Sequence, residues 1–428
     1  MIRTIMLTHR YADAIPSTIA CLFFRMAGIY VVENYLDSTT DLREELKEFG
    51  ISPSENLEFF CDAEIVLMSD ESDKERIYKS DSNMVVKVLY GAASDNQQNG
   101  TNTGWLINQI LDGLFSKGLI NESQRFDLAE VERVFSSGDY VKITMLTKYF
   151  FTPQDSQWID LMLNKYKSVV KSLQQSYKNN KDYPHLKFAL LNVAYEVNLY
   201  CKRCERPQIY SYREIIDMAN ELKSVMGNLL ERSIELLLVQ VELNLSRDRT
   251  AAYYRMSELC RNDINVNSYI FFLKGNYWVS EEDYERAEKY YRNAIIRFPQ
   301  YYRAWYQLGV CLYNQGEAEK ARKAFLTVKK ILTERFEKNV LRPMEVEYLY
   351  QACLYCGKIQ ESYAAFSGAL LYYGFARRVW ESVETSKFIH YLEQKNQQGI
   401  LVFERIKNEF DIFELEKRIN RCKGYLGV

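Results

Sequence analysis

The sequence predicts two architectures in series: an α/β N-terminal domain built on a parallel sheet, then an all-α solenoid of helical hairpins. Three observations carry this. Up to about residue 120, short β-prone runs alternate with helix-like stretches. From about residue 153 the chain reads as one helix after another. Between 268 and 335 a pattern of small and large residues returns after 34 positions. The expected division is a small acidic domain with its connecting segment over 1–150 and the solenoid over 151–428.

In chain order, "TIMLT" (4–8) is a short apolar strand candidate. "ADAIPSTIACLFFRMA" (12–27) has apolar residues at helical spacing, with Pro16 confined to the first turn and Gly28 as its stop. "IYVV" (29–32), "AEIVLMS" (63–69) and "MVVKVLY" (84–90) are further strands, while "DLREELKEFG" (41–50) reads as a short surface helix ending on Gly50. "WLINQILDGLFSKG" (105–118) is an amphipathic helix. Strand–helix–strand order of this kind implies a parallel sheet, whose ligands bind at loops leaving the carboxyl ends of its strands. Those loops are 8–13, 69–83 and 91–104.

Twelve helices are expected between 155 and 395, separated by breaks such as "NNKDYP", "RFPQ", "NQGE" and "CGK", with two more in the tail. The closing three are expected at 344–356, 359–372 and 376–395.

At 428 residues, with 47% hydrophobic residues and seven prolines, the chain is a globular protein of more than one domain. Its charge is uneven. Residues 1–150 hold 14 basic and 23 acidic side chains, the remainder 41 and 34. The basic excess is spread over 278 residues without a dense run, which argues against nucleic acid as a partner. No stretch reaches the roughly 18 apolar residues that span a bilayer, so no membrane partner is expected. The N-terminus lacks a secretory pattern, and the nine scattered cysteines read as reduced thiols, which together point to the cytoplasm.

The 34-residue period has a physical logic. Gly275 and Gly309, Ala287 and Ala321, and Tyr291 and Phe325 pair at that offset. Two helices can cross closely only where each presents a small residue, and large side chains then fill the space around the crossing. "WYQLG" (305–309) and "YERAEKYYRNAIIRFP" (284–299) resemble the tetratricopeptide repeat, with its W-x2-L-G and its Y-x2-A-x3-Y-x2-A-x4-P. The clearest repeats are 268–301 and 302–335. A third at 343–376 keeps Leu349, Gly357, Phe366 and Ala369 with Ser362 at the small position, and a degenerate one at 233–266 keeps Leu236, Ala252 and Leu259.

By that resemblance the first helix of each repeat lines a groove that takes a protein or peptide partner. The family's groove positions fall on Tyr269, Phe272 and Asn276 in one repeat and on Arg303, Tyr306 and Tyr313 in the next. The family's known carboxylate-gripping groove uses lysine where this chain has Phe272. An aromatic lining suits a peptide or helix with apolar anchors, with Arg303 as a polar contact. The same side chains could instead pack against the solenoid's own next helix.

Little in the chain points to catalysis. Only His9, His185 and His390 are present, and the phosphate-loop, dinucleotide and nucleophile-elbow motifs are absent. The pairs Cys201/Cys204 and Cys353/Cys356 lie about 150 residues apart, far beyond zinc-ribbon spacing, so no metal or cofactor is expected.

The N-terminal region resembles a Toll/interleukin-receptor (TIR) domain, or more broadly a flavodoxin-like one. "THRYAD" sets Thr8, His9 and Asp13 at the spacing of that family's S-Y-x3-D, "GIYVV" follows its G-x-x-V, and the third strand ends in Ser69. The resemblance implies docking, sensing or self-association, with Thr8, Asp13 and Ser69 as candidate ligand-binding residues. In NAD-cleaving members it implies a glutamate after the third strand, for which Glu71 and Glu75 are the candidates. The resulting reading is a protein-interaction module. Its alternative is an NAD-cleaving effector of bacterial defence or signalling, regulated by the solenoid.

Overall fold

The computed structural model describes residues 2–52, 61–68, 84–89, 103–137, 156–226, 230–246, 248–262, 267–394 and 410–428, together with Tyr140, Ile143, Thr144, Thr147 and Lys407. The chain forms two compact units: Met1–Asp37 with Phe59–Arg255, and Ser38–Glu58 with Met256–Val428.

The first unit holds four strands, β1 (Thr4–His9), β2 (Tyr30–Tyr35), β3 (Ala63–Met68) and β4 (Val85–Leu89), in the order β2-β1-β3-β4. All three pairings are parallel, with Thr4 opposite Tyr30, Ile5 opposite Ala63 and Glu64 opposite Val85. The parallel sheet is as expected. Its central strands are buried on both faces, Ile5, Leu7, Ile65 and Leu67 on one and Thr8, Val66 and Met68 on the other being enclosed, which is why these segments read as apolar runs rather than alternating ones.

Helix α1 (Ala14–Met26) connects β1 to β2 and stops where Gly28 takes a φ of +82°. A side chain there would be strained, and its Cβ would lie 2.9 Å from the Phe188 ring. The helices α3 (Thr103–Ser116), α4 (Glu122–Ser137), α5 (Ser156–Asn179), α6 (Pro184–Arg203), α7 (Tyr212–Met226) and α8 (Glu231–Leu245) follow, with α9 (Thr250–Asn262), within which the two units divide after Arg255; α2 belongs to the second unit. Ser233 of α8 donates to the Gly28 carbonyl at 2.5 Å, and the His185 ring of α6 meets the Ala27 carbonyl at 2.6 Å. The end of α1 is thereby tied to the helices beyond it. Asp127 accepts from the His185 and Leu186 amides, satisfying the free N–H groups at the start of α6. Burial pushes its carboxyl up to about 7 despite those bonds.

Helix α8 packs against α6 and α7. It is joined to α9 by Arg255, which pairs with Glu235 and with Glu242 at 2.9 Å. The expected degenerate repeat at 233–266 carries Val241 and Ser257 at the positions where the later hairpins have their glycine and its ring.

The second unit contains α2 (Arg43–Glu48), α10 (Asn267–Ser280), α11 (Tyr284–Arg297), α12 (Tyr302–Asn314), α13 (Ala318–Glu337), α14 (Pro343–Ser362), α15 (Phe366–Glu381), α16 (Lys387–Gln394) and α17 (Ile412–Leu426). Three hairpins, α10–α11, α12–α13 and α14–α15, repeat one contact: Gly275 against Tyr291, Gly309 against Phe325, Gly357 against Tyr373. Each pair is separated by 16 residues. Pro299 ends one hairpin, and its carbonyl accepts from the Trp305 indole of the next at 2.8 Å.

Two expectations for the third hairpin need correction. The break expected at "CGK" is absent, since α14 runs on to Ser362, and α15 begins only at Phe366. Gly357 is the notch that admits the Tyr373 ring, not a helix stop. The third repeat therefore stands seven residues later than 343–376, with Ala369 rather than Ser362 at the small position. The last expected helix, 376–395, is divided between the end of α15 and α16. Helix α17 closes this end of the unit by burying Leu415, Ile419 and Cys422, while Arg418 and Arg421 each reach Glu361 at 2.9 Å.

Candidate functional site

The groove residues lie on the first helix of each hairpin. Phe272 on α10 is buried and packs against Tyr301 at 5.2 Å and Tyr291 at 5.9 Å. Asn276, one turn on, accepts the Tyr291 hydroxyl at 2.8 Å, so its amide oxygen is drawn into the hairpin. Tyr269 is half-buried on the same helix.

Arg303, in the first turn of α12, stacks its guanidinium 4.7 Å from the centre of the Phe272 ring. Its Nε is closed to solvent and has no hydrogen-bond partner, and among the described residues no carboxylate pairs with it. Burial works against its charge, but the neighbouring Tyr348, Tyr301, Tyr302 and Tyr269 more than offset that and hold it above the ordinary arginine value. The residue as a whole is half-buried, and a cation partly withdrawn from water without a counter-charge is costly.

Tyr306 and Tyr313 follow on α12, two turns apart. Tyr306 packs edge-on to Tyr348 at 4.9 Å and also touches Phe325 and Tyr355, so most of it is committed within the unit. Tyr313 stands 39% exposed and meets Tyr355 at 5.3 Å. It is the predicted groove residue with the most surface to offer. The structure thus brings Phe272, Arg303 and Tyr269 into one cluster and joins Tyr306 to Tyr313 through Tyr355.

Sequence reasoning missed Tyr348 and Tyr355 on α14. A signal was present: they are seven residues apart, as Tyr306 and Tyr313 are. Two helices that meet side by side with the same two-turn spacing oppose ring to ring.

At the carboxyl edge of the sheet, Thr8 and Asp13 are both buried. Thr8 donates to Glu64 at 2.6 Å, and Asp13 accepts the Arg10 amide at 3.2 Å, closing the turn after β1. His9 lies between, its Nε2 3.5 Å from Glu33 and its ring edge-on to Tyr35. Ser69, Glu71 and Glu75 lie outside the described residues.

Burial raises the thiols of both C-x-x-C pairs, Cys353 to about 12, which works against the thiolate form that attacks or binds metal. Among the described residues no group of three His, Cys, Asp or Glu side chains is placed to hold a metal ion. No described helix is long and apolar enough to cross a membrane.

The stacked hairpins repeat one glycine–ring notch, and two of the three, α10–α11 and α12–α13, fall within a stretch that a family model matches. Residues 272–332 match the family model described as "Tetratricopeptide repeat". No curated protein matches the chain by sequence. Among solved structures the chain is similar to an IFIT1 monomeric mutant with Gppp-AAAA, at 13% identity and a TM-score of 0.32, covering 78% of this chain and 82% of that one. At that score the likeness carries no argument.

Proposed function

We propose that the second unit is a protein-interaction module whose α10, α12 and α14 side receives a peptide or helix of a partner. The observation that carries this reading is the juxtaposition of a row of tyrosines, Tyr313 half out of it, with the half-buried Arg303, which no carboxylate among the described residues pairs. Aromatic rings and arginine are the side chains that most often anchor a bound chain, because they offer large contact at low entropic cost. The alternative in which the row merely packs on itself fits Tyr306, whose ring has three aromatic neighbours, better than it fits Tyr313.

In this reading the N-terminal sheet, TIR-like by its sequence, serves docking, sensing or self-association. Release of nicotinamide from NAD by the full-length chain, lost on Glu71→Gln or Glu75→Gln, would replace that role with the enzymatic one.

Selection of binders to the full-length chain from a random peptide library tests the groove. Tyr313→Ala should weaken those binders at least tenfold while the melting temperature moves by no more than a degree or two, as expected of an exposed anchor. Binders indifferent to Tyr313 would place the contact surface elsewhere.

A further inference from the structure

From the surroundings of Arg303 we infer that this groove takes a phosphorylated segment of a protein partner, with the phosphoryl group seated on the guanidinium. The inference rests on the groove reading above and adds the chemical class of the ligand.

Three features of the cluster support it. Arg303 has an uncommitted fork of N–H donors. Its face lies on Phe272 rather than on an acid, and its Nε is closed to water. Glu345, beside Tyr302, is already spent: it pairs with Arg335 and accepts the Arg342 amide at 2.9 Å. The hydroxyls around the guanidinium are also under-used. Tyr302 reaches only the Met344 thioether at 3.9 Å, and Tyr269 and Tyr348 make no hydrogen bond among the described residues.

An arginine fork with several free hydroxyls offers more donors than one carboxylate can use. A carboxylate presents about four acceptor sites on two oxygens, whereas a phosphoryl group has three terminal oxygens and a charge of about −1.5 to −2 at neutral pH. Bidentate pairing of arginine with phosphate is among the strongest charge-assisted contacts, and the enclosed setting strengthens it further. The rings of Tyr302 and Tyr348, in edge-to-face contact at 5.5 Å, give the guanidinium an apolar flank that suits a side chain carrying the group rather than a bare polyanion. The absence of a dense basic run favours a protein partner over a nucleic acid.

The test uses the full-length chain and four probes in calorimetric titration: phenyl phosphate, benzoate, phenol and a single-stranded 20-nucleotide DNA. Phenyl phosphate should bind saturably and at least tenfold more tightly than benzoate, with phenol undetectable. Arg303→Lys should weaken it about tenfold, because a point charge replaces the fork. Tyr348→Phe, which removes one hydroxyl and keeps the ring, should weaken it several-fold without changing the melting temperature. Equal binding of benzoate would overturn the phosphoryl assignment. So would phenyl phosphate binding that survives both substitutions, or DNA binding tighter than phenyl phosphate and lost with them. The groove reading fails separately: Tyr313-dependent peptide binders with no phosphate preference would keep the groove and remove only this proposal.

Discussion

Within the second unit, two segments show opposite ways of holding a helix in place. The hairpins α10 to α13 are joined by notches: Gly309 and Ala321 let the backbones approach, and Phe325 and the wholly buried Trp305 fill what remains. Helix α2 comes from the connection between β2 and β3, yet it belongs to this unit and lies on α11 and α13. Leu42, Leu46 and Ile51 are buried, but the polar contacts of the segment are mostly charged. Glu45 pairs with Lys330 at 2.6 Å, Glu48 with Lys323, and Thr39 and Ser38 bond to Glu334. One ring joins them: Phe49 packs against Trp305 at 5.1 Å, and its carbonyl accepts from Arg292 at 2.7 Å.

The difference in physics predicts a difference in stability. Burial of large rings contributes kilocalories per side chain, while exposed ion pairs contribute about 0–1 kcal/mol each. A six-residue helix is far below the length that persists on its own, so α2 depends wholly on what it touches. Segments of that kind open at lower free energy than the elements they lie on.

The largest expected effect is at Trp305. Truncation to alanine empties the centre of the α12–α13 hairpin and releases the Phe49 contact, at a cost of about 3–5 kcal/mol. Denaturant unfolding would show it, and a loss below 1 kcal/mol would mean that ring packing is not what holds the repeats.

Next come the notches. A Cβ on Gly309 would sit 2.7 Å from the Phe325 ring, so Gly309→Ala should destabilise by about 1–3 kcal/mol even though alanine is the better helix former. Gly357→Ala should behave alike, because Tyr373 fills the same notch. The half-buried Gly374 in α15 has open space where a Cβ would stand, and alanine there should stabilise by a few tenths to about 1 kcal/mol. If Gly357→Ala stabilised as Gly374→Ala does, the third hairpin would not share the repeat's contact.

This contrast also explains what could be read from the sequence. Parallel strands are legible as apolar runs, and the 34-residue repeat is legible because each notch needs a small residue at a fixed distance from a ring. The same rule, applied as a 16-residue spacing from glycine to ring, would have placed the third hairpin correctly. Reading Gly357 as a stop misplaced it, since glycine serves both as a helix end and as a notch. The cluster around Arg303 was half legible: the groove positions on α10 and α12 follow from the repeat, but Tyr348 and Tyr355 belong to the hairpin whose register was misread. The destination of α2 was not legible at all. An acidic hexapeptide, "REELKE", has the composition of any solvated helix, and the lysines that receive it lie more than 270 residues away.

Two further substitutions divide the hold on α2 between ring and charge. Phe49→Ala removes a half-buried ring and should cost about 1–2 kcal/mol, somewhat below the value for a fully buried one. The smallest effect is expected from Glu45→Gln with Glu48→Gln, which leaves the ring and cuts both ion pairs. Global stability should fall by less than about 1 kcal/mol, because Lys330 and Glu48 are exposed and Lys323 and Glu45 only half-buried, so screening already weakens the pairs. Amide exchange over residues 42–51 should nevertheless quicken several-fold, while exchange in α12 and α13 stays unchanged. Added salt should mimic the double variant in the wild-type chain and do little in the variant itself. Were residues 42–51 to keep their protection in both, α2 would be held by Leu42, Leu46 and Ile51, all buried, and the two segments would differ in sequence but not in the force that fixes them.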